Sequence, residues 1–390
     1  MRYSERLRNL PDQFFAGLVK KVNQALTEGR DLINLGQGNP DQPTPPHIVK
    51  VLQEAAAEPA SHKYPPFRGL DELKRAAARF YMEQYNVEID PDTEVSVLFG
   101  TKAGLVELPL CLLDEGESML LPDPGYPDYL SGPALANVRC HMMPLLQQNG
   151  FLPDYKNIPA EHKEAAKLMY LNYPNNPTGA AASLDFFEET VSFAKEHNIA
   201  VLHDFAYGAI GFDGKKPVSF LAAEGAKDVG IETYTLSKTY NMAGWRIGFA
   251  VGNKEIIEAL NLIQDHLYCS LFPGIQKAAA AALEGDQACV DEMVGLYEKR
   301  RSILVEECRK IGWKVEAPAG SFFAWLPVPE GFTSDGFTDY LFEKADVAVA
   351  SGKGFGTYGE GYIRVGLLVE EIRLKEAIRR IGELNLFTAG

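Results

Sequence analysis

Cysteine is scarce in this chain of 390 residues: the five present (Cys111, Cys140, Cys269, Cys289 and Cys308) are scattered and never spaced as CxxC. An odd, unpatterned set argues against a disulfide framework or a zinc site and suits a reducing compartment. Basic charge is also in short supply, with 38 Lys and Arg against 53 Asp and Glu, a net of −15. No Lys/Arg-rich run supplies the basic face that nucleic-acid binding needs. Long apolar runs are missing, none approaching the ~18 residues of a membrane span. The opening MRYSERLRNLPDQFF is charged and lacks the apolar core of a signal peptide. A cytoplasmic protein is therefore expected, with no nucleic acid and no membrane among its partners. The seven histidines form no HExxH or other metal spacing, and there is no G-x-S-x-G elbow, internal repeat or low-complexity tract.

What is present is an apolar share of 46% with 23% charged residues, enough to bury a sizeable core. A chain of this length is expected to form two domains. DQFFAGLVKKVNQALTEGRD has apolar residues at helical spacing, and LINLGQGNPDQPTPP reads as a short strand breaking into a Gly/Pro turn. Thr44 before two prolines predicts an N-cap with Pro in the first helical turn. Short apolar strands then alternate with amphipathic helices: EVSVLF, SMLLPD, KLMYLNY, IAVLHDF, ETYTLS and RIGFAVG are the strands. That alternation implies a largely parallel sheet covered on both faces. After about residue 285 a long helix precedes three further strands and a final helix, which suggests a second, α+β layer joined by the N-terminal segment. The expected division is 45–285 for a large domain, with 1–44 and 286–390 forming a small one.

Several short stretches carry chemistry. YTLSKTYNMAGWRIGF, residues 234–249, sets Lys238 in an otherwise apolar strand-like run beside Thr235 and Ser237, with Arg246 eight positions on. A buried ammonium is costly unless it is paired, neutralised or chemically used. VLFGTKAGL is a strand, then Gly100-Thr101, then a helix start; free amides and the helix dipole there suit a phosphate, or serve an ordinary connection. LNYPNNPTG is a stiff turn at the carboxyl end of a strand, where ligands gather in α/β sheets. VLHDFAYG runs an apolar strand into Asp204, which needs a cation or strong donors, or caps the next helix. PDPGYPDY mounts Tyr126 and Tyr129 in a proline-stiffened loop, for packing or for stacking on a ring. YIRVGL buries Arg364, which wants a carboxylate or phosphate, or an internal salt bridge. GFGTYG fits G-x-G-x-x-G but precedes a strand, so the dinucleotide mechanism fails and a flexible loop is expected.

In order along the chain, Gly100-Thr101, Tyr126, NNPTG, Asp204-x-x-Tyr207, TLSK, Arg246 and Arg364 follow the motifs of a known family. With LGQGNPD and HKYPPFRG, they make the whole chain resemble the fold-type I pyridoxal-phosphate aminotransferases of class I/II. The resemblance implies a mostly parallel seven-stranded sheet with a smaller α+β domain, and pyridoxal 5'-phosphate as cofactor. It implies that Lys238 carries the cofactor covalently and then moves the substrate's α-proton. Asp204 would hold the pyridine nitrogen protonated, Tyr207 and Asn176 would donate to the ring's phenolic oxygen, and Tyr126 would stack on the ring. Gly100, Thr101, Thr235, Ser237 and Arg246 would hold the phosphate. Arg364, Asn176 and the backbone at Gly38 would grip the substrate α-carboxylate. Tyr64 matches a tyrosine lent to the neighbouring subunit's phosphate, which implies a homodimer with shared sites. Lys102 has two readings, a contact to the phosphate or to an acidic side chain, and a solvated helix-start lysine. Within the family the likeness runs towards methionine-salvage members that pair glutamine with 4-methylthio-2-oxobutanoate. Aminotransferases for aspartate, aromatic or diaminopimelate substrates and a cysteine C–S lyase are the alternatives.

Overall fold

A computed structural model describes residues 2–387 of the chain. Its strands, in chain order, are β1 (Ile33–Asn34), β2 (Val95–Leu98), β3 (Ser118–Asp123), β4 (Arg139–Pro144), β5 (Ala166–Leu171) and β6 (Ala200–Asp204). They continue with β7 (Gly230–Thr235), β8 (Gly248–Gly252), β9 (Phe323–Pro327), β10 (Val347–Ala348), β11 (Ala350–Ser351) and β12 (Tyr362–Gly366). Seven of them form one sheet in the order β2-β8-β7-β6-β5-β3-β4. β8 alone runs against the other six, pairing antiparallel with both β2 and β7. The mostly parallel sheet expected from the alternating pattern is therefore the one formed.

Helices cover both faces, so the central strands are apolar along their whole length. Leu168, Tyr170 and Leu202 pack on one side, while Met169, Leu171 and Val201 pack on the other. The helix Leu184–His197 shows how the sequence makes such a cover. Ser183 caps its first turn by accepting from Phe186 N (3.2 Å), and Asn198 ends it in the left-handed conformation. Phe186, Phe187, Thr190, Val191, Phe193 and Ala194 recur at helical spacing and form its buried face.

β9, β11 and β12 form a three-stranded antiparallel sheet in the order β11-β12-β9, and β1 pairs in parallel with β10. The β1–β10 pair ties the N-terminal segment to the C-terminal layer. Among the described residues no helix is long and apolar enough to cross a membrane.

Two local expectations need correction, and one strand is unexpected. Thr44 does not cap the helix Pro46–Ala57: Pro45 occupies the N-cap, and the Thr44 hydroxyl donates to Asn241 O at 2.8 Å. β4 is a strand that the apolar pattern does not mark, because RCHMMP is an edge strand with only one buried residue. GFGTYG is not free to flex. It forms two short 3₁₀ turns, and the buried Asp123 carboxylate accepts from Thr357 N and Tyr358 N, both at 3.0 Å.

Candidate active site

The carboxyl ends of the parallel strands, where α/β sheets collect ligands, open onto a cavity of about 540 Å³. It is lined by Gly38, Thr101, Lys102, Tyr126, Asn176, Asp204, Tyr207, Thr235, Ser237, Lys238, Arg246 and Arg364. Of the residues expected in the site, Gly100 adjoins this lining and Tyr64 lies outside it. A larger groove of about 720 Å³ runs past Gly179, Trp313 and Trp325. It gathers no amine, carboxylate and guanidinium together at buried positions, so the smaller cavity is the chemical one.

Lys238 sits not in a strand but in the short helix Leu236–Thr239 that follows β7, with Thr235 as N-cap. Its Nζ donates to Gly38 O at 3.0 Å. Burial, then the charges of Arg364 and Arg246, pull its pKa from 10.5 down to about 8. An amine so tuned loses its proton readily near neutral pH, as a general base must.

Asp204 ends β6 and is buried. Tyr129 OH donates to its Oδ2 at 2.8 Å, and Thr233 Oγ1 lies 3.5 Å from Oδ1. Burial pushes its pKa up. No helix begins after Asp204, so the capping account falls away. Among the described residues its side chain has no Lys or Arg partner, leaving a buried acid held by neutral donors and facing the cavity.

Arg364 is only 1% exposed and stacks on the ring of Phe323, 3.9 Å from its centroid, with Phe355 and Phe15 near 5 Å. Its Nη1 donates to Asn176 Oδ1 at 2.8 Å and its Nη2 to Gly36 O at 3.1 Å. Burial pulls its pKa down. No carboxylate lies within ion-pair distance among the described residues, so the internal salt bridge is not what buries it. A guanidinium bound only to neutral oxygens in a cavity is built to take an anion.

The helix Thr101–Leu112 opens on Gly100, which sits at φ 74° and gives no side-chain cap. A Cβ there would collide with the Arg246 guanidinium, so only glycine lets the arginine lie along the turn. Arg246 is itself held at φ 56°, and its Nη1 donates to Ala243 O at 2.9 Å. Thr235 and Ser237 are buried beside it. Free amides, two hydroxyls and a guanidinium thus line one cavity together with Asp204.

Lys102 falls between its two readings: it lines the cavity, and its Nζ pairs with Asp128 Oδ2 at 2.8 Å. Tyr126 also lines the cavity, edge-on to Tyr129. Burial pushes the Tyr207 hydroxyl up, so it stays a donor. Tyr64 is 89% exposed and is not brought to the site by its own chain.

The site has two contributors to which the sequence reading assigns no role. Asn172, at the end of β5, donates to Asp204 O (2.6 Å) and accepts from Asn176 N (2.8 Å), so it orients both neighbours. An amide closing an apolar strand, LMYLN, is the signal that could have found it. Phe15, Leu18 and Val19 of the helix Phe14–Thr27 form an apolar wall beside Gly36 and Arg364. Helical spacing reveals that helix, but not that part of it faces the cavity.

An amine, a buried carboxylate and two guanidiniums in one cavity at the end of such a sheet suit amino-group transfer on a phosphate-bearing cofactor. Residues 30–381 match the family aminotransferase class I and II, and the chain belongs to it. It is an enzyme of the transaminase class, in a family dependent on pyridoxal 5'-phosphate. Among curated proteins it is 66% identical to the L-glutamine–4-(methylsulfanyl)-2-oxobutanoate aminotransferase of Bacillus subtilis (strain 168), covering 99% of this chain and 97% of that one. An LL-diaminopimelate aminotransferase of Dehalococcoides mccartyi is 46% identical over 99% of each chain. The substrate-bound BacF structure from Bacillus subtilis superposes with a TM-score of 0.95 at 49% identity, covering 100% of this chain and 99% of that one.

Proposed function

We propose that this enzyme moves the amino group of glutamine to 4-methylthio-2-oxobutanoate, giving methionine, with pyridoxal 5'-phosphate as cofactor. The observation that carries the substrate reading is the 66% identity, over nearly the whole chain, to a relative named for that reaction. The cavity supports it. Of its cations, Lys102 is already neutralised by Asp128, and Lys238, Arg246 and Arg364 have other tasks. The wall of Phe15, Leu18 and Val19 is apolar, as a methylthioethyl chain requires.

The donor set fits the cofactor. The amides at Thr101 and Lys102, the Thr235 and Ser237 hydroxyls and Arg246 would hold its phosphate, and Asp204 its ring nitrogen. Tyr126 would lie on the ring, and Tyr207 with the Asn176 amide would donate to its phenolic oxygen. When bound, the cofactor supplies an aldehyde that takes up the amino group and a ring that draws electrons from the α-carbon. Lys238 would anchor the cofactor, and its Nζ, when free, would be the base that carries the proton to and from the substrate Cα. Asp204 would hold the ring nitrogen protonated, and that cation would in turn keep the buried carboxylate anionic. Arg364 binds the α-carboxylate and, with the aromatic wall, orients the Cα–H bond and keeps water out.

The test is kcat/KM for methylthio-oxobutanoate, phenylpyruvate, oxaloacetate and 2-oxoglutarate against glutamine, glutamate and aspartate. Apolar acceptors should overlap, because each methylene changes binding by only ~1–3 kcal/mol, and should exceed the acidic ones. A preference of about a hundredfold or more for aspartate with 2-oxoglutarate would defeat the reading and make Lys102 the acidic-substrate contact.

The division at 45–285 is our reading of sheet membership, and the scattered cysteines support a cytoplasmic setting. The active unit is read as a homodimer in which Tyr64, exposed with Phe67 on one loop, completes the neighbouring phosphate site. Co-expressing Lys238→Ala and Tyr64→Phe chains would then form heterodimers with one doubly defective and one intact site. Their activity should exceed that of either mutant homodimer. Full activity of Tyr64→Phe alone, or no gain on mixing, would remove Tyr64 from the site.

A further inference from the structure

Directly behind Asp204, on the opposite face of β6, lies a buried polar network that the roles above do not use. His203 and Glu232 face each other in the β6–β7 register, and both are fully buried. His203 Nδ1 is 2.6 Å from Glu232 Oε2, and His203 Nε2 is 3.1 Å from Tyr173 N. A backbone amide can only donate, so Nε2 must accept and the proton sits on Nδ1. The ring is therefore the neutral Nδ1–H form, packed among Phe187 and Phe205 at centroid distances of 5.0 and 5.1 Å. Glu232 accepts from three more donors: Tyr81 OH (2.8 Å), Ser219 Oγ (2.7 Å) and Phe220 N (2.8 Å). A carboxylate so fully bonded cannot turn, and it fixes the imidazole in one orientation.

Tyr173 opens the loop that carries Asn176. Much of the loop's remaining bonding is internal, as in Asn175 N to Ala180 O (2.8 Å) and Gly179 N to Asn175 O (2.9 Å). Two hydrogen bonds join it to β6, through adjacent residues on opposite faces. Asn172 Nδ2 donates to Asp204 O on one side, and Tyr173 N donates to His203 on the other. From the same loop Asn176 Oδ1 accepts from Arg364 Nη1. The path Glu232, His203, Tyr173, Asn176, Arg364 is thus continuous, running by hydrogen bonds and one short stretch of chain.

We infer that His203 is a positioning residue: clamped by Glu232, it sets the height of the 172–179 loop over β6 and so aligns Asn176 with Arg364. The kinetic part rests on the reading that Asn176 and Arg364 bind the substrate carboxylate; the structural part does not. Relays of this kind act through geometry, so a small loop shift is felt mainly where the substrate is oriented.

The test uses the cofactor-loaded enzyme and two variants. His203→Asn keeps a donor for Glu232 but is too short to accept from Tyr173 N, whereas His203→Gln can reach both. Hydrogen exchange of the 172–179 amides should rise roughly tenfold or more in His203→Asn, and return towards wild type in His203→Gln. KM for both substrates should rise about tenfold in the first variant and recover in the second, with kcat changed by no more than about threefold. In the unmutated enzyme the Tyr173 amide should exchange as slowly as those of β6, a measurement that stands even if a variant does not fold. Fast exchange at Tyr173, or a His203→Asn variant that loses thermal stability while loop exchange and KM stay unchanged, overturns the inference. Raised loop exchange with unchanged KM would uphold the positioning and instead remove Asn176 and Arg364 from the carboxylate site.

Discussion

Lys238→Ala is expected to reduce transamination by about 10⁴-fold, the upper range for a positioned proton-transfer group, while leaving the fold intact. The amine combines nucleophilicity with a pKa lowered to about 8, set first by burial and then by Arg364 and Arg246. Its protein hydrogen bond is to one carbonyl, Gly38 O, and it forms no ion pair among the described residues. In the cofactor-free protein, removing it should therefore relieve a desolvated charge rather than break a bridge, so Tm of that form should hold or rise. Lys238→Arg should fare no better, since a guanidinium does not release its proton. Activity of Lys238→Ala within about tenfold of wild type would take proton transfer away from this residue; circular dichroism and Tm would exclude unfolding as the cause of a loss.

Asp204→Asn should produce the second large loss, in kcat rather than KM. Asn keeps the shape and the contact with Tyr129, whose hydroxyl can turn to accept, but abolishes the buried negative charge. That charge has no Lys or Arg partner among the described residues, and burial works against it. A cationic ring nitrogen would reverse that effect, and the pair would matter most as the α-carbanion develops. Loss of one preorganised electrostatic contact of this kind costs about 2.7–4 kcal/mol, or 10²–10³ in kcat. A deuterium isotope effect at the substrate α-carbon should grow as proton removal becomes limiting. The opposite pattern, raised KM with kcat intact, would make Asp204 a structural residue.

Residues that break a local rule are the ones legible in the amino-acid sequence. Asp204 and Arg364 are charges in apolar strands, Lys238 an ammonium in a buried run, and Gly100 a glycine at a strand-to-helix junction; each is costly in place unless it serves a ligand. The parallel sheet is equally plain, because strands buried on both faces are apolar throughout. Groups whose partners lie far along the chain are not legible in this way. The Lys102–Asp128 pair, the Tyr129–Asp204 bond and the His203–Glu232 contact each depend on how distant segments pack. The wall of Phe15, Leu18 and Val19 is hidden for another reason: an amphipathic helix shows that it has an apolar face, but not which part of that face lines a cavity. Thr44 looks like a cap because the sequence does not reveal that the helix starts only at Pro46, which leaves Pro45 at the N-cap and the Thr44 hydroxyl donating to Asn241 O.

The central claim, that Lys238 is the point where the cofactor is held, is tested most directly by borohydride. The purified enzyme is reduced, digested and mapped by mass spectrometry. A phosphopyridoxyl group on Lys238, absent from Lys238→Ala, is the result expected. Labelling of Lys102 or any other lysine in place of Lys238, or a fully active enzyme that takes no label, would contradict the account.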